Sequence, residues 1–301
     1  MNKIEFGDCR EIMRRWADEG IRVQTCVTSP PYFGLRDYGV DGQIGLEDTP
    51  GAYVAQLVEV FREVRRVLRD DGTLWINIGD SYAGAGYSNH KGTGGTQREN
   101  GGKQRHLSGT GFKNKDLIGI PWLLAFALRA DGWFLRQDII WHKPNPMPES
   151  VRDRCTKAHE YIFLLSKSER YYYDYEAVRE PEVCGRMRGP ALHRDTVSTN
   201  GNSGLARRES DGFRNRRSVW TVTTRPYKGA HFATFPPALI EPCILAGSRP
   251  GDIVLDPFMG SGTTAAVALQ HGRQYLGCEL NQEYAPLQQE RISNAVGPLF
   301  A

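Results

Sequence analysis

The sequence predicts an α/β fold with an open, mostly parallel sheet of the Rossmann-like kind. Residues 252–264 read as a short apolar strand, a glycine-rich turn and the start of an alanine-rich helix, which is the unit that binds nucleotides in such folds. The apolar run Val23–Val27 is soon followed by Pro30 and Pro31, which cannot continue a central strand because they lack N–H donors. Both turns should therefore lie at carboxyl ends of strands, where open α/β sheets bind ligands.

Hydrophobic periodicity predicts the remaining elements. Predicted strands span Lys3–Phe6, Thr73–Ile78, Trp133–Trp141, Glu160–Ser166 and Gln274–Cys278, with a candidate edge strand at Tyr171–Tyr175. Predicted helices span Glu11–Trp16, Val54–Leu68, Leu117–Arg129, Thr264–Gln270 and Gln282–Ala295. Strands and helices alternate along much of the chain, which is typical of a parallel sheet covered by helices.

Composition limits the classes of function. The 301 residues suit one domain with an insertion. A net charge of +3 means that a nucleic-acid surface would have to come from local clustering of basic residues. The six cysteines form no CxxC pair and the seven histidines are scattered, so we expect neither a disulfide framework nor a metal site. We find no signal peptide and no apolar run of membrane length, and we expect a cytoplasmic protein without a membrane partner.

The turn that follows Asp256 has the features of a nucleoside-cofactor site. Its glycines, Gly260 and Gly262, allow a ligand to approach the backbone closely, and the helix that follows offers free N–H groups and a partial positive charge. Glu279 ends the next predicted strand 23 residues after Asp256, close to the position of the ribose-binding acid in nucleotide folds. Because strand, helix and acid are all in place, a nucleoside cofactor is favoured over an ordinary tight turn.

The turn Ser29–Tyr32 suits a planar ring that carries an amino group. Prolines leave the backbone with acceptors only, so the Ser29 hydroxyl and the carbonyls of this turn can accept hydrogen bonds from an NH₂ group. Tyr32 supplies a flat face for a ring. The alternative is an ordinary Pro-Pro loop that carries a tyrosine.

Together the two turns resemble those of the β-class DNA amino-methyltransferases, which use S-adenosylmethionine. In that family a Ser/Asp/Asn-Pro-Pro-Tyr/Phe turn precedes a Phe-x-Gly-x-Gly cofactor loop, and here Ser29–Tyr32 and Phe258–Gly262 match them. Gly7-Asp8-Cys9 resembles the early acidic motif of the family, and His231–Pro236 resembles the motif before the cofactor strand. The resemblance implies a seven-stranded methyltransferase sheet with circularly permuted motif order and a target-recognition insertion.

The resemblance also implies a role for each matching residue. The catalytic residues would be Ser29, Pro30, Pro31 and Tyr32. The residues that bind S-adenosylmethionine would be Asp8, Asp256, Phe258, Gly260, Gly262, Thr263 and Glu279. Asp8 equally suits the cap of the helix Glu11–Trp16, and the two roles are compatible. We expect direct in-line transfer to a base swung out of the duplex, stacked on Tyr32, with its N–H bonds accepted by Ser29 Oγ and the Pro30 carbonyl.

Residues 1–179 and 219–301 are expected to form the catalytic and cofactor-binding domain. Within it, residues 84–115 are glycine-rich and carry six basic residues against one acidic residue, so they cannot form a core. We expect a mobile basic loop that orders on the DNA backbone; the alternative is a passive insertion. Residues 180–218 are the expected target-recognition insertion, since the part from Glu182 to Ser218 carries eight arginines against four acidic residues. Its alternative is a basic loop with only non-specific affinity.

Six arginines are candidate DNA contacts: Arg36, Arg207, Arg208, Arg214, Arg216 and Arg217. Arg36 lies in an aromatic, glycine-bearing loop that we interpret as a lid flanking the target base, with an ordinary surface loop as the alternative. His231 is the best histidine candidate for a site role. Pro242-Cys243 resembles the nucleophile pair of cytosine-C5 methyltransferases, but it lies in an apolar stretch. We interpret Cys243 as a core residue, because attack on an exocyclic amine needs no covalent nucleophile.

The identity of the methylated base rests on Ser29. In the family, serine at this position is seen mostly with cytosine N4 and aspartate mostly with adenine N6, with exceptions, so Ser29 favours cytosine and adenine is the alternative. Two other classes remain open: an RNA or protein-amide methyltransferase, and a catalytically silent DNA-binding regulator. The arginine-bearing insertion argues against the first class, and the intact turns argue against the second. Double-stranded DNA is the expected partner; a homodimer and a cognate restriction endonuclease are added by analogy alone.

Overall fold

The computed structural model describes residues 1–35, 37, 39–84, 111–182, 211–224 and 235–296. Its strands are Lys3–Phe6 (β1), Val23–Thr28 (β2), Leu68–Ile78 (β3), Phe134–His142 (β4), His159–Ser166 (β5), Glu180–Pro181 (β6), Phe213–Arg214 (β7), Val219–Thr221 (β8), Ile253–Asp256 (β9) and Gln274–Glu279 (β10). Its α-helices are Cys9–Asp18 (α1), Pro50–Val67 (α2), Ile120–Ala130 (α3), Pro237–Gly247 (α4), Thr263–Gln270 (α5) and Ala285–Val296 (α6). The predicted helices and all but one of the predicted strands are present.

The main sheet has the order β1-β10-β9-β2-β3-β5-β4-β8. Strand β5 runs antiparallel to β3 and to β4, and the other neighbouring pairs are parallel. The predicted mostly parallel α/β sheet is therefore confirmed. It contains eight strands rather than seven, because the short segment Val219–Thr221 pairs with the outer strand β4 at Ile140–His142.

Strand β9 lies between β10 and β2 although it comes late in the chain. Thr25 pairs with Val254, and Cys26 pairs with Leu255. Parallel strands in register end at the same edge of a sheet, so the turn after β2 and the turn after β9 start side by side. This pairing joins the two predicted turns in space.

Helices cover both faces of the sheet. On one face, α1, α2 and α3 bury side chains such as Trp16, Phe61 and Leu124. On the other face, α4 and α5 bury Ile244 and Val267. The described residues include no helix that is both long and apolar enough to cross a membrane.

The prediction of an edge strand at Tyr171–Tyr175 is wrong. The backbone N–H of Tyr172 donates to the Asp71 carbonyl at 2.8 Å, and that of Asp174 donates to the Ala246 carbonyl at 2.9 Å. These two bonds go to different elements, so they do not build a ladder. The tyrosines here instead pack as single rings, as Tyr173 does against Trp75 with 6.3 Å between the ring centroids.

Cys243 lies in the interior of α4 and is buried, as expected of a core residue. Its thiol lies 3.8 Å from the Leu239 carbonyl, to which it donates. Burial raises the pKa of this thiol well above its usual value, which makes it a poor nucleophile.

Candidate active site

The turns after β2 and β9 line one cavity at the carboxyl edge of the sheet. Ser29, Pro30, Pro31 and Tyr32 line it from the β2 side, and the loop 257–261 lines it from the β9 side. Gly7, Asp8, Glu279 and Asn281 are also among the lining residues. The cavity has a volume of about 180 Å³, so side chains do not fill it.

Asp256 connects the two turns beneath this cavity. Its carboxylate accepts hydrogen bonds from the hydroxyls of Thr28 and Thr264, both at 2.6 Å, and from the Phe258 N–H at 3.0 Å. The residue is 1% exposed, and burial raises its pKa to about 6 against the opposing effect of these donors. Asp256 is absent from the cavity wall. Its observed contacts hold the two turns together, and a direct contact with a cofactor stays a prediction.

Glu279 ties the glycine loop to the neighbouring strand. Its carboxylate accepts the Gly260 N–H at 2.7 Å and the Asn281 N–H at 2.9 Å. Burial raises the pKa of Glu279. Glu279 also lines the cavity, and its contact with a cofactor stays a prediction.

Gly262 has a packing role beside the loop. It precedes α5 with a φ of +84°, and an added Cβ would lie 3.3 Å from Gln288 Cα in α6. Phe258 and Thr263 line the cavity, but Gly262 does not. The Thr263 hydroxyl accepts a hydrogen bond from the Arg291 guanidinium.

Ser261 is a site residue that sequence reasoning missed. It lines the cavity, is 4% exposed, and its hydroxyl has no hydrogen-bond partner among the described residues. A buried polar atom without a partner is costly, so this hydroxyl marks a position where a polar group of a ligand would bind. Its place between the two glycines of the loop was the available signal.

Asp8 both caps a helix and lines the cavity. Its carboxylate accepts the Arg10 N–H at 2.8 Å and the Arg10 guanidinium at 2.6 Å. These hydrogen bonds lower the pKa of Asp8. The predicted cap of α1 is therefore confirmed, whereas contact with a cofactor stays a prediction.

Tyr32 is held by residues from two strands, β3 and β5. Its hydroxyl donates to Glu160 at 2.7 Å and lies 3.3 Å from the side-chain oxygen of Asn77. Glu160 in turn forms an ion pair with Lys143. Burial beside Glu160 raises the pKa of the Tyr32 phenol well above its usual value. None of these partners was predicted, since they come from β3, from β5 and from the residue that follows β4 rather than from a local motif.

Tyr53 fixes the backbone of the same turn from below. Its hydroxyl donates to the Pro31 carbonyl at 2.8 Å. The loop that follows closes on itself, since the Gly34 N–H donates to the Gly45 carbonyl at 2.8 Å. Leu35 and Ile44 of this loop line the cavity. Arg36 lies outside the described residues.

Comparison with known proteins shows the family of the chain. The family model for DNA methylases of the N6/N4 type matches residues 23–290. The chain belongs to this DNA methylase family. The methylase is thus a DNA amino-methyltransferase, and the family predicted from its two turns is confirmed.

Relatives of the methylase resemble it over nearly its whole length. The type II methyltransferase M.Cfr9I of Citrobacter freundii is 50% identical over 289 residues, which are 95% of this chain and 86% of the relative. The type II methyltransferase M.SmaI of Serratia marcescens is 50% identical over 296 residues, 96% of this chain and 90% of the relative.

Solved structures resemble the fold. A putative DNA modification methylase of Thermus thermophilus, TTHA0409, complexed with S-adenosylmethionine, has a TM-score of 0.61 at 26% identity and covers 99% of this chain and 97% of its own. The cytosine-N4-specific PvuII DNA methyltransferase has a TM-score of 0.64 at 19% identity, and the match covers 97% of this chain and 87% of the PvuII chain. The likeness to the PvuII enzyme concerns the fold alone.

The described arginines of the predicted DNA surface have partners within the methylase. Arg214 and Arg217 both donate to the Glu180 carboxylate, at 2.9 and 2.6 Å. The Arg216 guanidinium lies 4.6 Å from the centroid of the Trp220 ring. These contacts involve only the described residues of the segment 180–218, and DNA binding by these arginines stays a prediction.

Several predicted features lie outside the described residues. They are Arg207 and Arg208, residues 85–110 of the basic loop, residues 183–210 of the insertion, and His231–Thr234. Lys113 and Lys115, at the described end of the basic loop, form ion pairs with Asp116 and Asp153.

Proposed function

We propose that this methylase transfers a methyl group from S-adenosylmethionine to the N4 amino group of a cytosine in duplex DNA. The observation that carries the proposal is the shared cavity, which brings Ser29 and the glycine loop to the same edge of the sheet. Ser29 supports cytosine, because serine in the first position of the turn is associated mainly with that base. Adenine N6 is the second candidate, since both bases present a similar amidine-like NH₂ group.

The residues around the glycine loop suit S-adenosylmethionine. The unpartnered Ser261 hydroxyl and the Glu279 carboxylate offer polar contacts for the nucleoside part. Phe258 offers apolar surface, and Asp8 also lines the cavity. When bound, the cofactor supplies an electrophilic methyl group on a sulfonium.

The turn Ser29–Tyr32 would orient the amino group of the base. The Ser29 hydroxyl and the Pro30 carbonyl would accept the two N–H bonds, while the Pro31 carbonyl accepts the Tyr53 hydroxyl. Accepting both N–H bonds favours a pyramidal amino nitrogen. Its lone pair is then less delocalised into the ring and can attack the methyl group. Catalysis then rests on positioning and electrostatics.

The target base must leave the duplex to reach this cavity. Tyr32 lines the cavity and offers a ring on which the extruded base would stack. Residues 1–179 and 219–301 would form the catalytic domain, and residues 180–218 the recognition insertion. Arg36, Arg207, Arg208 and the outer guanidinium nitrogens of Arg217 would meet the phosphates.

Two further partners complete the proposal. A second copy of this chain and a cognate restriction endonuclease are proposed from the type II relatives and from family precedent. The methylase would then act in the cytoplasm, where it protects cellular DNA from that endonuclease.

Single-molecule sequencing of DNA from cells that express the protein tests the proposed reaction. We expect N4-methylcytosine in one sequence context, lost with Ser29→Ala and retained with the control Ser293→Ala on the exposed side of α6. N6-methyladenine instead would correct the base. Methyl label found only in RNA or protein, in a parallel assay with radiolabelled cofactor, would contradict the proposal.

A further inference from the structure

The Glu160 carboxylate lies directly behind the turn that carries Ser29. It accepts the Tyr32 hydroxyl at 2.7 Å and forms an ion pair with Lys143. The Glu160 and Lys143 side chains are only 16% and 18% exposed. A charged pair with so little exposure is expensive to bury, and neither residue belongs to the two turns that define the site.

The pair is fixed in place by its neighbours. Glu160 stands near the start of β5, where it pairs with Trp141 of β4. The Lys143 ammonium lies 4.3 Å from the centroid of the Trp141 ring. The Asn77 amide donates to Glu160 at 3.3 Å and to the Tyr161 carbonyl at 3.1 Å. Asn77 of β3 and Lys143, which follows β4, thus hold the carboxylate of Glu160 at this edge of the sheet.

The Tyr32 ring is also restrained along its side. An added Cβ on Gly79 would lie 2.7 Å from Tyr32 Cε2 and 3.1 Å from Cδ2. The end of β3 therefore lies against the ring, while the hydroxyl is held by Glu160. A ring restrained at its hydroxyl and along its side has little freedom to turn.

We propose that Glu160, with its charge balanced by Lys143, is a positioning residue for methyl transfer that acts through the Tyr32 hydroxyl. It fixes the plane of the ring on which the target base stacks, and so the direction in which the amino group meets Ser29. The inference rests on the proposed function, because it needs an extruded base on Tyr32. Its effect should appear in the rate of transfer and not in cofactor binding, since Glu160 and Lys143 are absent from the wall of the cofactor cavity.

Steady-state methylation of duplex DNA with radiolabelled S-adenosylmethionine tests the inference in the full-length protein. We expect Tyr32→Phe and Glu160→Gln each to lower kcat about tenfold to a hundredfold, the range for loss of a hydrogen bond to a charged group. The dissociation constant of the cofactor, measured by calorimetry, should stay within about twofold. The control Glu169→Gln makes the same chemical change at an exposed position beyond β5 and should leave kcat unchanged.

The double variant Tyr32→Phe/Glu160→Gln separates positioning from general structural support. If Glu160 acts through the hydroxyl, the double variant is no less active than the less active of the two single variants. Multiplying losses, or a parallel loss of cofactor affinity, would overturn the inference. Should Glu160→Gln fail to fold, Tyr32→Phe still tests the hydroxyl through which Glu160 acts: wild-type kcat overturns the inference, and a loss of at least tenfold is the result that the inference requires. A wild-type protein that methylates no DNA would instead reject the proposed function, and the inference with it.

Discussion

Asp256 is the residue in which burial and function are most closely linked. Its carboxylate accepts three hydrogen bonds and has no cationic partner among the described residues. Burial raises its pKa to about 6. A carboxylate whose pKa is higher in the folded state than in the unfolded chain lowers stability as the pH rises through that interval. The connection between the two turns therefore has a cost at neutral pH.

The variant Asp256→Asn removes this charge and measures its cost. The folded protein binds the proton more tightly than the unfolded chain, so wild type loses stability between about pH 4 and pH 6 while the amide does not. From pH 5 to pH 7.5, the free energy of unfolding of the variant should improve relative to wild type by about 1–2 kcal/mol. Urea unfolding at both pH values checks this. The raised pKa would be contradicted if the difference in free energy of unfolding between the variant and wild type were the same at both pH values, or if it changed in the other direction.

Gly79 gives a second prediction at the residue scale. Alanine there places Cβ 2.7 Å from the Tyr32 ring, so the ring must move. We expect Gly79→Ala to cost about 1–3 kcal/mol of stability and to lower kcat at least tenfold, as read by thermal unfolding and methylation assays. The control Gly51→Ala, whose Cβ meets nothing closer than 4.0 Å, should be near neutral. Full activity in Gly79→Ala would show that the ring position is unimportant.

At the scale of elements, the start of α5 depends on its packing against α6. Gly262 has a φ of +84° and lies against Gln288, whose side chain donates to the Gly260 carbonyl at 2.7 Å. The glycine loop is thus supported from α6 as well as from Glu279. Its shape comes from these helix and strand contacts together.

Gly262→Ala compared with Gly251→Ala separates contact from backbone strain. Both glycines have positive φ, +84° and +87°, but an added Cβ at Gly251 meets nothing within 4 Å. We expect both variants to lose about 1 kcal/mol or more from strain, and only Gly262→Ala to weaken cofactor binding, by about tenfold in calorimetry. Equal cofactor affinity in the two variants would contradict a role for the α5–α6 contact.

The sequence predicted those parts of the fold whose signal is local. The strand–proline turn at Ser29 and the strand–glycine–helix unit after Asp256 carry their geometry in consecutive residues, because proline and glycine restrict or widen φ directly. Glu160, Lys143 and Gly79 were missed since their role depends on strand pairing across the sheet. The prediction at Tyr171–Tyr175 failed because a run of tyrosines, which favours a strand, here makes separate packing contacts.

At the scale of the whole molecule, the two turns are far apart in sequence but adjacent in space. Thr28 and Asp256 are 228 positions apart and are joined by a hydrogen bond of 2.6 Å. The β2–β9 pairing places every predicted catalytic residue beside the loop predicted to bind the cofactor. The function of the methylase depends on this one junction of the sheet.

A crystal structure of the protein with S-adenosylmethionine tests that junction most directly. We predict that the cofactor occupies the cavity, that the Ser261 hydroxyl gains a hydrogen bond to it, and that the sulfonium methyl group faces the Ser29 hydroxyl. A cofactor bound elsewhere, or one whose methyl group points away from Ser29, would contradict the account.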